Sequence, residues 1–426
     1  MDKFMQRWFD IQDHETTLKK EAIAGITSFI TVSYIIIVNA SFLEQAGIPY
    51  NAAVMATIIT SFVGCMIMGF WANAPIVLAP GMGINAFFSY SMVQSMGLSW
   101  QEALAVVFTS GIIFALIAFS PLALVLSRAV PQSLKEAIVV GLGFFLTFIG
   151  LQKGGIVTAS DTTFVKLGDL SNPHTIVTFL TLTITVILFS RNVKGSFLLS
   201  IVVGSVISAL FGLVDLNDVK YSEVSFGSYK SVLGAMSFES ITSLAFWIAT
   251  FSLTMVIVFE NMGALYGLLQ QPVKFRRSYK VSAVSTITAG IFGTSPTIAT
   301  VESAAGIAVG GKTGITAIVA GILFLPAILF IPVLKIIPEN VIAPVLIVVG
   351  SLMIQNIQKI ELKDFSEAFP AFLIIALIPL SYSIVDGIAF GFIAYPLLKL
   401  ALGRKNEVSF PLVLIAFLFL LNFVLS

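Results

Sequence analysis

Residues 293–314 read Gly293-Thr294-Ser295-Pro296-Thr297-Ile298-Ala299-Thr300-Val301-Glu302-Ser303-Ala304-Ala305-Gly306-Ile307-Ala308-Val309-Gly310-Gly311-Lys312-Thr313-Gly314. Long apolar runs flank this stretch, yet it holds a proline, five glycines, several hydroxyls and one carboxylate. A lipid-facing helix does not tolerate that composition. Pro296 removes a backbone donor and clashes with the preceding turn, so the chain leaves the helix there and re-enters near Ser303. Irregular backbone at membrane depth persists only inside protein or beside a water-filled cavity. A broken helix with an acid at the break therefore marks a transporter's binding site.

The rest of the chain agrees with a membrane setting. Of 426 residues, 57% are hydrophobic and 11% charged, with mean hydropathy +1.00. Soluble domains carry about 25% charged residues. The composition predicts an all-α polytopic membrane protein embedded in a lipid bilayer. A net charge of +1 argues against nucleic acid as a partner. The lone Cys65 reads as a small core residue. His14 and His174 are isolated, so no metal site is expected, and Gly310-Gly311-Lys312 lacks the P-loop pattern of an ATPase. No nucleophile–base pair points to an enzyme.

Residues 1–20 are expected to form a cytoplasmic tail, with Trp8 and Phe9 on an interfacial helix and no cleavable leader. Apolar segments follow at 21–43, 50–71, 75–96, 101–126, 134–152, 173–190 and 195–213. A polar connection at 214–240 carries Asp215, Asp218, Glu223 and Glu239. A second set lies at 242–269, 279–292, 297–310, 313–333, 339–357, 367–384 and 387–402, and an extra apolar segment at 408–426 ends the chain. Two sets of about seven give about 14 membrane segments, with the second half inverted relative to the first. With the N-terminus inside, only Lys153, Lys166, Lys220, Lys230 and Lys335 of the 23 lysines and arginines fall outside, a positive-inside bias. The halves also echo each other, as Ile138-Val139-Val140-Gly141 recurs in Ile347-Val348-Val349-Gly350. In each half the third segment is interrupted, first by Ala79-Pro80-Gly81-Met82-Gly83-Ile84-Asn85 and then by the opening stretch. Matching interruptions are the signature of an inverted repeat with a midplane site.

Two extended pieces meeting at the midplane can satisfy their backbone groups by pairing as a short ribbon. The half-helices that follow would begin near Gly83–Asn85 and Glu302–Ala304, aiming free N–H groups at the cavity. Glu302 could accept N–H donors from a ligand, carry a proton, or cap a neighbouring half-helix. Glu260, in Val256-Ile257-Val258-Phe259-Glu260-Asn261-Met262-Gly263, has no basic residue within ten positions. An acid at that depth is functional by default, the alternative being a charge snorkelling from a helix end. Asn85 either reads a ligand edge or clamps the crossing half-helix. Phe87 and Phe88 could stack on an aromatic ring, although core packing suits them better in a chain with 37 phenylalanines. Thr294, Ser295 and Thr297 serve the freed backbone or touch substrate. Asp386 reads as an N-cap or a hinge.

The segments Ala79–Phe88 and Gly293–Ala317, with Leu18–Thr27 and Pro379–Ala389, resemble the signature segments of the AzgA-like purine permeases. These belong to the xanthine/uracil and nucleobase–ascorbate transporter family. The resemblance spans nearly the whole chain. It implies a 7+7 inverted repeat in which segments 3 and 10 are broken. A core domain (21–126 and 242–333) would hold the substrate and a gate domain (134–213 and 339–402) would face it. It implies proton symport of adenine, guanine or hypoxanthine without a cofactor, the proton gradient supplying the energy and sodium remaining open. It also implies a homodimer through the gate domains and a bacterial cytoplasmic membrane location. Asn85 and Glu302 match the family's substrate-site asparagine and glutamate. Glu260 falls where the branch usually has Asp, in a Phe-Asp-Thr pattern that here reads Phe259-Glu260-Asn261. The expected substrate-binding set is Glu302, Glu260, Asn85, Gly83, Ser303, Thr294 and Phe87, with Glu260 and Glu302 carrying the coupling proton. A uracil- or xanthine-type permease is the alternative, followed by a sulfate-type anion transporter.

Overall fold

The computed structural model describes residues 8–9, 11–12, 14–123, 129–214, 226–269 and 271–425. Tail residues 1–7, Arg128, and Asp215, Asp218, Lys220 and Glu223 of the polar connection lie outside the described residues. Trp8 and Phe9 are helical, and the Phe9 ring lies 5.9 Å from that of Phe70.

In hydrocarbon a backbone must satisfy its own polar groups, so the apolar runs become helices. Among the described residues nine helices are long and apolar enough to cross a bilayer. The first half runs α1 (Leu18–Val32), α2 (Ile35–Gln45), α3 (Tyr50–Ile67), β1 (Leu78–Pro80), α4 (Met82–Ala86), α5 (Trp100–Phe119), α6 (Gln132–Lys153), β2 (Val157–Ser160), β3 (Phe164–Leu167), α7 (Pro173–Ser190) and α8 (Ser196–Leu210). The second runs α9 (Leu244–Leu268), α10 (Pro272–Phe292), β4 (Thr297–Ala299), α11 (Ser303–Ala308), α12 (Gly314–Phe324), α13 (Glu339–Ile354), α14 (Phe365–Ser381), α15 (Ile384–Ala401) and α16 (Phe410–Leu425). Helix α4 continues into a π-helical run, Phe87–Ser95.

Helix ends follow the local sequence. Ser99 and Glu102 form a capping box at the start of α5. Helix α10 begins at Pro272, seven residues before the expected 279, because a proline at the first helical position lacks only an N–H that has no partner there. Its C-cap is Gly293, with φ 83°, a left-handed conformation that glycine adopts freely. Asp386 is not the N-cap of α15. Ser383 is, its hydroxyl accepting the Asp386 N–H at 3.3 Å, since a cap must stand outside the helix and Asp386 is already in the first turn. The β2–β3 ribbon, paired from Val157↔Leu167 to Ser160↔Phe164, was not expected.

The helices pack in two groups. Helices α1, α2, α3, α5, α9, α10 and α12 surround β1, β4 and the short helices α4 and α11. Helices α6, α7, α8, α13, α14 and α15 pack on one another. Helix α16 lies on α15 and reaches α9. At its entry, buried Lys399 meets Glu407 at 2.5 Å and Glu367 at 2.8 Å, while Arg404 meets Asp364 at 2.5 Å. One end of the seam between the groups is pinned by polar contacts. There Glu339 of α13 meets Lys153 of α6 at 2.5 Å and accepts from Gln45 of α2 at 2.8 Å.

Candidate functional site

The site is built on an antiparallel ribbon that joins the two breaks. Strand β1 pairs with β4 in the register Leu78↔Ala299, Ala79↔Ile298 and Pro80↔Thr297. The expected pairing of the two extended pieces is therefore present. It is extended by Thr300 N–H donating to Val77 O at 3.1 Å and Gly81 N–H to Pro296 O at 3.4 Å. All six strand residues are buried. Helix α4 leaves one end of the ribbon and α11 the other, so the two half-helices share one frame.

Hydroxyls and amides brace that frame. Ser303 Oγ accepts the Val77 N–H at 2.9 Å and lies 3.1 Å from Thr300 Oγ1. Thr294 Oγ1 accepts from Asn39 Nδ2 at 2.9 Å. The Ser295 hydroxyl lies 2.7 Å from Asn85 Oδ1 and 3.0 Å from Asn39 Oδ1. Thr297 Oγ1 pairs with Ser285 of α10 at 2.6 Å. The expected site residues Ser303 and Thr294 thus already hold backbone or neighbouring side chains. Phe87 and Phe88 are fully buried core residues in this arrangement. A Cβ added at Gly83 would stand 3.0 Å from Leu142 Cδ1 of α6, so the glycine lets the second helix group come close to α4.

The acids are placed differently. Glu302 is half-buried at the N-cap position of α11, and its Oε1 accepts a hydrogen bond from Tyr34 Oη at 2.5 Å. Its side chain makes no cap bond to α11 itself. Glu260 is half-buried in α9, which packs against β4 and α4. Its neighbour Asn261 uses both ends of its amide, with Oδ1 accepting the Ala299 N–H at 3.1 Å and Nδ2 donating to Ile257 O at 3.0 Å. This fixes the acid-bearing turn of α9 to the ribbon. Glu260 Oε2 and Asn85 Nδ2 are among the buried polar atoms here that lack a protein partner, as are Ser252 Oγ in α9 and Ser28 Oγ beside Gly306 of α11. The Glu260 oxygen is an acceptor, or a donor when protonated, and the Asn85 nitrogen is a donor. Such orphans are costly unless a ligand, a proton or water meets them. A cavity of about 430 Å³ is lined by residues that include Pro75, Gln271, Lys274, Ile307 and Lys312, and Glu260, Glu302 and Asn85 are not among its lining.

Tyr34, Asn39 and Asn261 were not singled out from the sequence. Each is a polar residue within an apolar run, and that signal was available. Their partners were not, since Asn39 meets residues 255 and 256 positions away.

The chain matches the permease family over residues 19–390. It is 45% identical over 383 residues to the nucleobase transporter PlAzg2 of Paenibacillus larvae, covering 89% of this chain and 77% of that one. It is 34% identical to the guanine/hypoxanthine permease PbuO of Bacillus subtilis, covering 97% of this chain and 99% of that one. It is also 34% identical to the adenine permease AdeP of Escherichia coli, covering 99% and 96%. Among solved structures, it is similar in fold to the transmembrane domain of the cyanobacterial bicarbonate transporter BicA. That match has a TM-score of 0.68 at 17% identity, over 87% of this chain and 97% of that one. The chain belongs to the permease family, within its AzgA-like purine permease branch.

Proposed function

We propose that this protein imports purine nucleobases, hypoxanthine and guanine or adenine, by proton symport through alternating access around the crossing of the two half-helices. The observation that carries this reading is the pair of unpartnered buried atoms, Glu260 Oε2 and Asn85 Nδ2, on α9 and α4, which pack on each other, α9 also packing on the strand that leads to Glu302. A purine presents N–H donors and ring or carbonyl acceptors along one edge. Glu302 and Glu260 take the donors, and the Asn85 amide supplies a donor to an acceptor atom. The relatives named for nucleobase, guanine/hypoxanthine and adenine transport support the same substrate class.

Proton coupling follows from charge. A bare carboxylate is expensive in a closed, dry site, and protonation removes that cost while the site is carried across. Glu260 carries the coupling proton and Glu302 holds the base. The first helix group acts as the moving core and the second as the gate, in a 7+7 inverted repeat with the N-terminus inside. Dimers form through the gate, in the bacterial cytoplasmic membrane. The seam is pinned by Lys153, Glu339 and Gln45 at the end that the charge asymmetry places outside, which suits an inward-facing arrangement.

Anion transport is disfavoured because two carboxylates at the crossing would repel the cargo, and the likeness to a bicarbonate transporter concerns the fold alone. The test is uptake of radiolabelled hypoxanthine, guanine, adenine and uracil into proteoliposomes, with and without an inward proton gradient. Gradient-dependent purine uptake that disappears in Glu302→Gln is expected. Uptake of uracil alone would move the protein to a neighbouring branch, and no uptake of any base by folded protein would end the nucleobase reading.

A further inference from the structure

Tyr34 links the carboxylate at the site to the seam between the two helix groups. It stands at the junction of α1 and α2, where the regular helix is interrupted at Ser33–Tyr34. It is 1% exposed. Its hydroxyl donates to Glu302 Oε1 at 2.5 Å, within the range of a hydrogen bond to an ionised oxygen. Its ring meets the edge of Phe197 in α8, with centroids 5.0 Å apart and planes at 63°. Phe197 in turn stacks on Phe189, with centroids 5.6 Å apart and planes at 17°. Phe189 lies in α7 and Phe197 in α8, both in the second helix group, while Glu302 is fixed to the ribbon inside the first.

A buried tyrosine has two soft torsions, and here each end of the side chain is held. Phe197 backs the ring and Glu302 receives the hydroxyl. Shifting one helix group along the other moves Phe197 away from the ring and frees those torsions. With the hydroxyl in place, one oxygen of Glu302 is fixed and the carboxylate plane is set. With it gone, the carboxylate rotates about its own torsions, and a ligand must order it at an entropic cost.

We propose that Tyr34 is a positioning residue that sets the orientation of Glu302 and makes that setting depend on where the two helix groups stand. A ligand that binds the oriented carboxylate more tightly then favours the arrangement in which Phe197 supports Tyr34, because differential affinity is what shifts such an equilibrium. Occupancy and position are coupled through one side chain. This inference rests on the reading of Glu302 as a substrate-binding acid.

Uptake kinetics and infrared spectra together test it. Tyr34→Phe keeps the ring and removes only the hydroxyl. It is expected to raise KM for hypoxanthine about tenfold, the size of a lost hydrogen bond to a charged group, while changing Vmax far less. Phe197→Leu keeps the hydroxyl and loosens its support, so KM is expected to rise several-fold, less than for Tyr34→Phe, with Vmax per folded transporter nearly unchanged. A role in fold stability alone would lower the amount of active protein and leave both KM values at the wild-type figure, which would overturn the proposal. Difference infrared spectra of ligand-free protein, wild type against Glu302→Gln, isolate the Glu302 carboxyl band. Tyr34→Phe is expected to shift that band whether or not any base is carried. An unshifted band, or a shifted band with an unchanged KM, overturns the proposal. Failure of the wild type to take up any nucleobase would instead end the nucleobase reading, and the infrared band would still decide the hydrogen bond.

Discussion

Glu21 and Glu260 are both carboxylates away from bulk water, and their surroundings are opposite. Glu21, in the first turn of α1, is fully buried and surrounded by donors. Its oxygens accept from Thr16 Oγ1 at 2.9 Å, Lys312 N–H at 3.0 Å, Thr313 N–H at 3.2 Å and Thr316 Oγ1 at 2.6 Å. The two backbone donors lie at the start of α12, so Glu21 ties the beginning of the first span to the loop that follows α11. Glu260 has an oxygen with no protein partner, although its neighbour Asn261 has used both ends of its amide. A saturated buried acid is a joint. An unsaturated one on the same scaffold suits the proposed role of meeting a ligand or a proton.

That contrast can be broken by substitution. Glu260→Gln is expected to lower purine uptake on the order of a hundredfold, the upper range for a charge-assisted contact in a dry site, while leaving the melting temperature unchanged or raised. A large fall in melting temperature would place Glu260 beside Glu21 as a structural acid. Glu21→Ala is expected to do the reverse. It strands two hydroxyls and two backbone N–H groups, and should cost about 3 kcal/mol of stability, read from thermal unfolding in detergent. The surviving folded fraction should keep its KM. A changed KM with normal stability would mean that Glu21 reaches the substrate path.

The smallest effect is expected at a third acid, Asp364, which stands in the loop before α14. The Ser366 hydroxyl and N–H, with Arg404, hold its carboxyl below the usual carboxylate range. The folded state then binds fewer protons than the unfolded one as pH falls through that range. The contribution is complete above the unfolded value and is lost as pH drops toward the lower folded value. Asp364→Asn should flatten the acid limb of the stability curve slightly, and added salt should shrink the difference, because the group is partly exposed. An unchanged acid limb would remove Asp364 from the ion cluster that anchors α16.

Where chemistry and geometry were both local, the breaks and the ribbon that frame the candidate site could be read from the sequence. Pro296, Pro80 and the surrounding glycines announced the two breaks, and the need to satisfy freed backbone announced the ribbon. Glu302 and Glu260 stood out because an acid inside an apolar run is rare. Other features depended on residues distant in sequence. Glu21 sits among the charges of the tail, and nothing nearby says that residues 312–316 fold over it. Tyr34 looks like one aromatic among many until its partner 268 positions away is known. The β2–β3 ribbon was hidden for another reason. Val157–Ser160 alternates apolar and polar residues but Phe164–Leu167 does not, and strands of four residues are too short to display a period clearly.

The ribbon beneath the site is closed by main-chain hydrogen bonds between stretches more than two hundred residues apart. Main-chain bonds survive most changes of side chain. The frame can therefore keep its shape while the side chains packed around it change, as Asn261 of α9 meets it only through the Ala299 N–H. Selection can revise what the protein admits one residue at a time without rebuilding the platform that carries it. That separation of platform from preference lets one architecture diversify across chemically related cargoes.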